Sequence, residues 1–103
     1  MAHEVKDIAP GQARGLMDAG WRVLDVRTDA EWADGHIAGS HHLPMDQVVE
    51  ALGGYADHAL LVVCASGGRS YRVAQYLALQ GLEVANLEGG LHAWEAAGLP
   101  LER

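Results

Sequence analysis

The chain has 103 residues, the size of one ordinary domain and too short for two. Half of the residues are hydrophobic, so a core can form without cross-links; the single cysteine excludes an intrachain disulfide and a cysteine-rich zinc framework. Seven basic residues against 14 acidic ones give a formal charge of -7, which argues against a binder of nucleic acid or anionic membrane. The longest apolar run, Ala59 to Ala65, suits a strand and not a membrane span. The first residues, Met1 to Asp7, show no basic stretch followed by an apolar one. The expectation is one soluble, cytoplasmic domain over residues 1–103.

In chain order, a short strand is predicted near Glu4-Val5 and a helix from Pro10 to Ala19, closed by Gly20. Trp21 to Val26 reads as a strand ended by the charged Arg27-Thr28-Asp29. A weaker strand at His41-His42-Leu43 stops at Pro44, and a helix from Asp46 to Leu52 runs into Gly53-Gly54. Ala59 to Cys64 is apolar throughout, as in a central parallel strand covered on both faces. The next helix, Arg69 to Gln80, carries Val73, Ala74, Leu77 and Ala78 on one face and stops at Gly81. Glu83 to Leu87 is a last strand before Gly89-Gly90, and Leu91 to Ala97 a last helix before Gly98 and Pro100. Strands alternating with helices predict a doubly wound α/β domain: a five-stranded, mainly parallel sheet with helices on both faces. Sites in such folds lie beyond the carboxyl ends of the strands, which directs attention to the residues after Val63.

Those residues are Cys64-Ala65-Ser66-Gly67-Gly68-Arg69-Ser70, and they lead into the amphipathic helix. A cysteine ending an apolar strand is, alone, a small buried hydrophobe. A thiol, a loop with two glycines and a helix N-terminus together make an anion-stabilising device. The glycines let successive N–H groups turn inward, and the helix adds partial positive charge. A thiolate there should have a lowered pKa and be nucleophilic near neutrality. Arg69 adds a permanent cation able to meet an anionic substrate.

The sequence resembles the rhodanese-like sulfurtransferases from about Ile8 to Leu101. The resemblance is carried in order by Leu24-Asp25-Val26-Arg27 with Glu31-Trp32 and Gly35 to Ser40, by His42-Leu43-Pro44, by the loop Cys64 to Ser70, and by Leu87 to Leu91 with Trp94 and Gly98-Leu99-Pro100. It implies that Cys64 takes the outer sulfur of a small anionic donor such as thiosulfate, forms a persulfide, and passes the sulfur to a thiol or to cyanide. The persulfide would sit among the N–H groups of Ala65, Ser66, Gly67, Gly68, Arg69 and Ser70, with Arg69 attracting the sulfonate part of the donor. No metal or organic cofactor is implied, because sulfur itself is carried. Related phosphatases and arsenate reductases have one more residue between cysteine and arginine than the four found here, so phosphoryl or arsenate chemistry is the weaker enzymatic alternative. A different alternative is a protein-facing sulfur carrier or regulatory module, whose persulfide partner docks near Tyr71 and Arg72.

Asp25 and Arg27 end a predicted strand and are candidates for the pocket or for bracing it, the resemblance suggesting that Arg27 pairs with Glu31. Asp25 beside a thiolate would oppose its ionisation, so its expected role is to hydrogen-bond backbone. Tyr71 is a candidate for the pocket entrance. The resemblance places Trp32 and Trp94 as packing beneath the sheet and His36 in a structural turn. The adjacent His41 and His42 point to opposite faces of a strand and cannot chelate together, and His3, His58 and His92 have no ligand-like spacing. Since Cys64 has no resolving partner in the chain, a persulfide must leave to an outside acceptor.

Overall fold

The computed structural model describes residues 4–55 and 58–103, so His3 lies outside the described residues. Five strands form one sheet in the order β1-β5-β4-β2-β3: β1 (Lys6–Ile8), β2 (Arg22–Asp25), β3 (His41–His42), β4 (Leu60–Val63) and β5 (Val84–Leu87). All four neighbouring pairs run parallel, as expected for strands joined through helices. The helices are α1 (Pro10–Asp18), α2 (Asp29–Asp34), α3 (Val48–Ala51), α4 (Gly68–Leu79) and α5 (Gly90–Ala96).

The alternation of side chains along β4 divides the core in two. Leu60, Val62 and Cys64 pack with Val73, Ala74, Leu77 and Ala78 of α4 and Val48 of α3. Leu61 and Val63 pack on the opposite face with Ala13 of α1 and Leu91 and Trp94 of α5. Every residue of β4 is fully buried, which accounts for its unbroken apolar sequence. The same parity that puts Val62 on the α4 side carries Cys64, just past the strand, to the start of that helix.

The structure differs from the sequence reading in three elements. The first strand lies at Lys6–Ile8 and not at Glu4-Val5, because the register with β5 sets Lys6 opposite Ala85 and Ile8 opposite Leu87. The helix expected from Asp46 to Leu52 is a single α turn, flanked by 3-10 turns at Met45–Gln47 and Leu52–Tyr55. Its entrance comes just after Pro44, and Gly53-Gly54 weaken its exit. Helix α2 was not anticipated, although Thr28-Asp29-Ala30-Glu31 is a capping box: the Thr28 hydroxyl accepts from the Glu31 N–H, and the Glu31 carboxylate accepts from the Thr28 N–H.

Candidate active site

Cys64 follows β4 directly, ahead of the N-terminus of α4, and its side chain is buried. The turn between them depends on Gly67, which takes φ +101° as the residue before the helix, in a conformation that L side chains rarely adopt. That turn aims the Gly67 N–H at the sulfur from 3.1 Å and the Ser70 N–H from 3.3 Å, while the Ser70 hydroxyl lies 3.2 Å away. The Ser66 N–H contributes as well. Burial opposes ionisation of the thiol. The donors of Ser70, Gly67 and Ser66 outweigh it and hold the pKa of Cys64 below its ordinary value.

Of the expected cradle, Ser66, Gly67 and Ser70 face the sulfur. Ala65 is used differently: its carbonyl accepts from His92 N, and the Cys64 carbonyl accepts from Leu91 N. The first turn of α5 thus grips the loop from the other side. A methyl group on Gly90 would stand 2.4 Å from the Cys64 carbonyl oxygen and 2.5 Å from the Ala65 carbonyl, so the two backbones meet only where a side chain is absent.

The Arg69 guanidinium is engaged by a neighbouring carboxylate. It makes a bidentate pair with Glu31, Nη1 to Oε1 at 2.7 Å and Nη2 to Oε2 at 2.8 Å. The expected pairing of Glu31 with Arg27 is therefore corrected. Arg27 turns back onto Asp25, donating from Nε at 3.0 and 3.1 Å and from Nη2 at 2.8 Å, and its Nη2 also donates to the Gly35 carbonyl at 2.7 Å. Asp25 additionally accepts from the Arg27 N–H at 3.0 Å, and both side chains are buried. An aspartate two residues before the arginine can fold back locally, whereas helix α2 carries Glu31 outward to Arg69. Asp25 and Arg27 thus brace the strand end. Arg27 also lines a cleft of about 200 Å³ with Ala65, Leu91 and His92. Tyr71 lines a groove with Glu4, Val5, Gln75 and Leu79, and its N–H donates to the Gly67 carbonyl.

Two further placements differ from expectation or extend it. Trp32 is not beneath the sheet. It is half-buried and outside both core clusters, its ring stacked on His36 at 3.6 Å and on His42 at 4.8 Å. His42 is fixed by its Nε2, which donates to the Arg27 carbonyl, and His36 by its Nδ1, which donates to the Trp32 carbonyl. Trp94 is core, as expected, with its indole N–H on the Pro100 carbonyl. The sequence reading missed Asn86. The signal was a polar residue inside the apolar run Val84-Ala85-Asn86-Leu87, and the residue is buried with its amide against Ser70 and Gly67.

A family model described as the rhodanese-like domain matches residues 9–97. The chain belongs to the rhodanese-like domain family. Among its relatives is the thiosulfate sulfurtransferase GlpE of Pseudomonas paraeruginosa, 38% identical over 98 residues that cover 93% of this chain and 89% of that one. Its fold matches a rhodanese-related protein of Thermoplasma volcanium with TM-score 0.88 at 31% identity, over 94% of this chain and 97% of the other. A rhodanese-like domain protein from Staphylococcus aureus matches with TM-score 0.83 at 33% identity, over 96% of this chain and 100% of the other. Rhodanese-type sulfur transfer is the chemistry that family and relatives support, and Cys64 is the single cysteine of the chain. Among the described residues, no helix is long and apolar enough to cross a membrane.

The Glu31–Arg69 pair has a measurable pH signature. Hydrogen bonds from Arg69 lower the Glu31 pKa to about 2, against the opposing effect of burial and with help from Thr28. A carboxylate with a depressed folded-state pKa contributes stability above its ordinary pKa and loses it as pH falls toward the folded value. Glu31→Gln is expected to cost about 1 kcal/mol near neutral pH, after allowance for the solvent around a partly exposed pair. The difference from wild type should shrink between about pH 5 and pH 2. Urea unfolding across that range reads it, and a pH-independent difference would exclude the pair as its source.

Proposed function

We propose that this rhodanese moves sulfane sulfur through a persulfide on Cys64. The Cys64 thiolate attacks the outer sulfur of thiosulfate; a new S–S bond forms, the original S–S bond breaks, and sulfite departs with the bonding pair. An acceptor such as cyanide then attacks the outer sulfur, leaving as thiocyanate and returning the thiolate. The observation that carries this reading is the buried thiol surrounded by the N–H groups of Ser66, Gly67 and Ser70 and the Ser70 hydroxyl. The backbone N–H donors are in place before reaction and stabilise negative charge on either sulfur species without reorganisation. A lone low-pKa thiol with no resolving cysteine suits a reducing compartment, so a cytoplasmic location belongs to the same proposal.

Intact-protein mass spectrometry tests the cycle. Wild-type protein is expected to gain the mass of one sulfur atom on incubation with thiosulfate and to lose it on addition of cyanide. Cys64→Ser should show neither change. Retention of an unmodified, alkylatable thiol would exclude thiosulfate as donor.

A second reading is favoured by the pairing of Arg69 with Glu31, which removes from the loop the cation that a dianionic donor would meet. In that reading the donor or acceptor is a cysteine persulfide on another protein, approaching over Met45 and Val49 beside α4 and Arg72 on it, all exposed. Saturable acceleration of sulfur transfer by a protein persulfide, with slow thiosulfate turnover, distinguishes it.

A further inference from the structure

Once Cys64 ionises, the polar atoms beneath the sulfur do not have enough protons for all their acceptors. The Ser70 hydroxyl lies 3.2 Å from the Cys64 sulfur, 2.5 Å from Asn86 Oδ1 and 3.3 Å from the Gly67 carbonyl, and it has one proton to give. The orientation of the Asn86 amide is set by its other end. Nδ2 donates to the Gly67 carbonyl at 3.2 Å and to Asp7 Oδ1 at 3.1 Å, Asp7 being the cross-strand neighbour of Asn86 in the β1–β5 register. Turning the amide over would set Oδ1 against two acceptors. Oδ1 therefore stays on Ser70, and it makes the shortest contact in the cluster.

This arrangement is fully satisfied when Cys64 is a thiol: the S–H donates to the Ser70 oxygen, and the Ser70 hydroxyl donates to Asn86. When the thiol ionises, the sulfur becomes an acceptor only, and the Ser70 proton must turn from Asn86 toward it. Asn86 Oδ1 is then left facing an oxygen lone pair in a site that excludes water, since Ser70 and Asn86 are both buried. We propose that Asn86 is a positioning residue of the active site, whose pinned amide competes with the Cys64 sulfur for the single proton of the Ser70 hydroxyl. It makes no hydrogen bond to the sulfur and acts through Ser70. Its effect is to restrain the donor that distinguishes this cradle from a set of backbone N–H groups alone.

The proposal rests on the reading of Cys64 as the reacting thiol, and its test does not require sulfur transfer. Iodoacetamide alkylates the thiolate whether or not the protein carries sulfur, so its rate against pH reports the ionisation of Cys64 directly. Asn86→Leu preserves side-chain size and removes the competing acceptor, while the Gly67 carbonyl keeps its bond from Tyr71 N. The alkylation profile is expected to move to lower pH, with a rate about fivefold higher one unit below the wild-type midpoint. In a Ser70→Ala background the same substitution should leave the profile where Ser70→Ala alone puts it, since no hydroxyl remains to be shared. A variant that merely loosened packing would move both backgrounds alike. Asp7→Ala gives a second route that does not disturb the core, because Asp7 is exposed. It releases one of the two anchors of the amide and should move the profile the same way by a smaller amount, more in the presence of Ser70 than in its absence. Equal shifts with and without Ser70, or no shift in either, would overturn the proposal. Loss of the thiosulfate-dependent mass gain with this coupling intact would instead overturn the persulfide cycle.

Discussion

Gly90→Ala is expected to destabilise the protein by about 3–5 kcal/mol and to depress sulfur transfer well beyond the fraction unfolded. Gly90 has φ +61°, a conformation that costs an alanine on the order of 1 kcal/mol before any contact is considered. The larger part comes from contact. The added methyl would meet the Cys64 carbonyl oxygen at 2.4 Å and the Ala65 carbonyl carbon and oxygen at 2.5 Å, all of them backbone atoms that no side-chain rotation can move aside. Relief requires the first turn of α5 to withdraw from the loop, and with it the bonds from Leu91 N to the Cys64 carbonyl and from His92 N to the Ala65 carbonyl. The loop would lose the support that orients it toward the sulfur, so activity should fall in the folded fraction too. Equilibrium urea unfolding and turnover normalised to folded protein separate the two effects. An unchanged unfolding midpoint would show that the loop and α5 are not packed this closely.

Asp25→Ala is the second large effect, about 3–5 kcal/mol, because it leaves a buried guanidinium without its counter-charge. Asp25 is wholly buried and receives four hydrogen bonds from Arg27, one from its N–H and three from its side chain. In the variant the Gly35 carbonyl is the acceptor that remains to the guanidinium. The cost arises from the stranded charge and not from the loss of a favourable pair, which gives a distinguishing control. Removing the charge as well, in Asp25→Ala with Arg27→Met, should recover a substantial part of the stability lost by Asp25→Ala alone. Thermal or urea unfolding of the single and double variants measures this. A double variant no more stable than the single one would mean that Arg27 contributes chiefly through its packing.

The fold was legible in the sequence to the extent that its elements bury apolar faces with regular periods. β4 announced itself by an apolar run that only a strand covered on both faces requires, and α4 by Val73, Ala74, Leu77 and Ala78. The loop between them was legible as an anion-stabilising turn because its glycines and its place before a helix are properties of consecutive residues. β1 was misplaced by about two residues because so short an edge strand takes its position from its partner, here the register of Lys6–Ile8 on Ala85 to Leu87. Helix α2 carried a readable capping box, but six residues offer too little periodicity to reveal a helix.

Local sequence thus determined the elements, their alternation and the chemical character of the Cys64 loop, since each of these depends on residues within one turn or one strand. Only the tertiary structure decided the pairings. Arg69 reaches Glu31 across 38 positions of sequence, and Asn86 reaches Ser70 across 16 and Asp7 across 79. Whether Arg69 offers its charge to a substrate or commits it to Glu31 turns on where α2 lies against α4. Whether the Ser70 hydroxyl belongs to the sulfur alone turns on which residue of β5 stands beneath it. Hydrogen bonds and ion pairs are satisfied by proximity in space, and proximity in space is settled by the packing of the sheet and its helices, not by spacing along the chain.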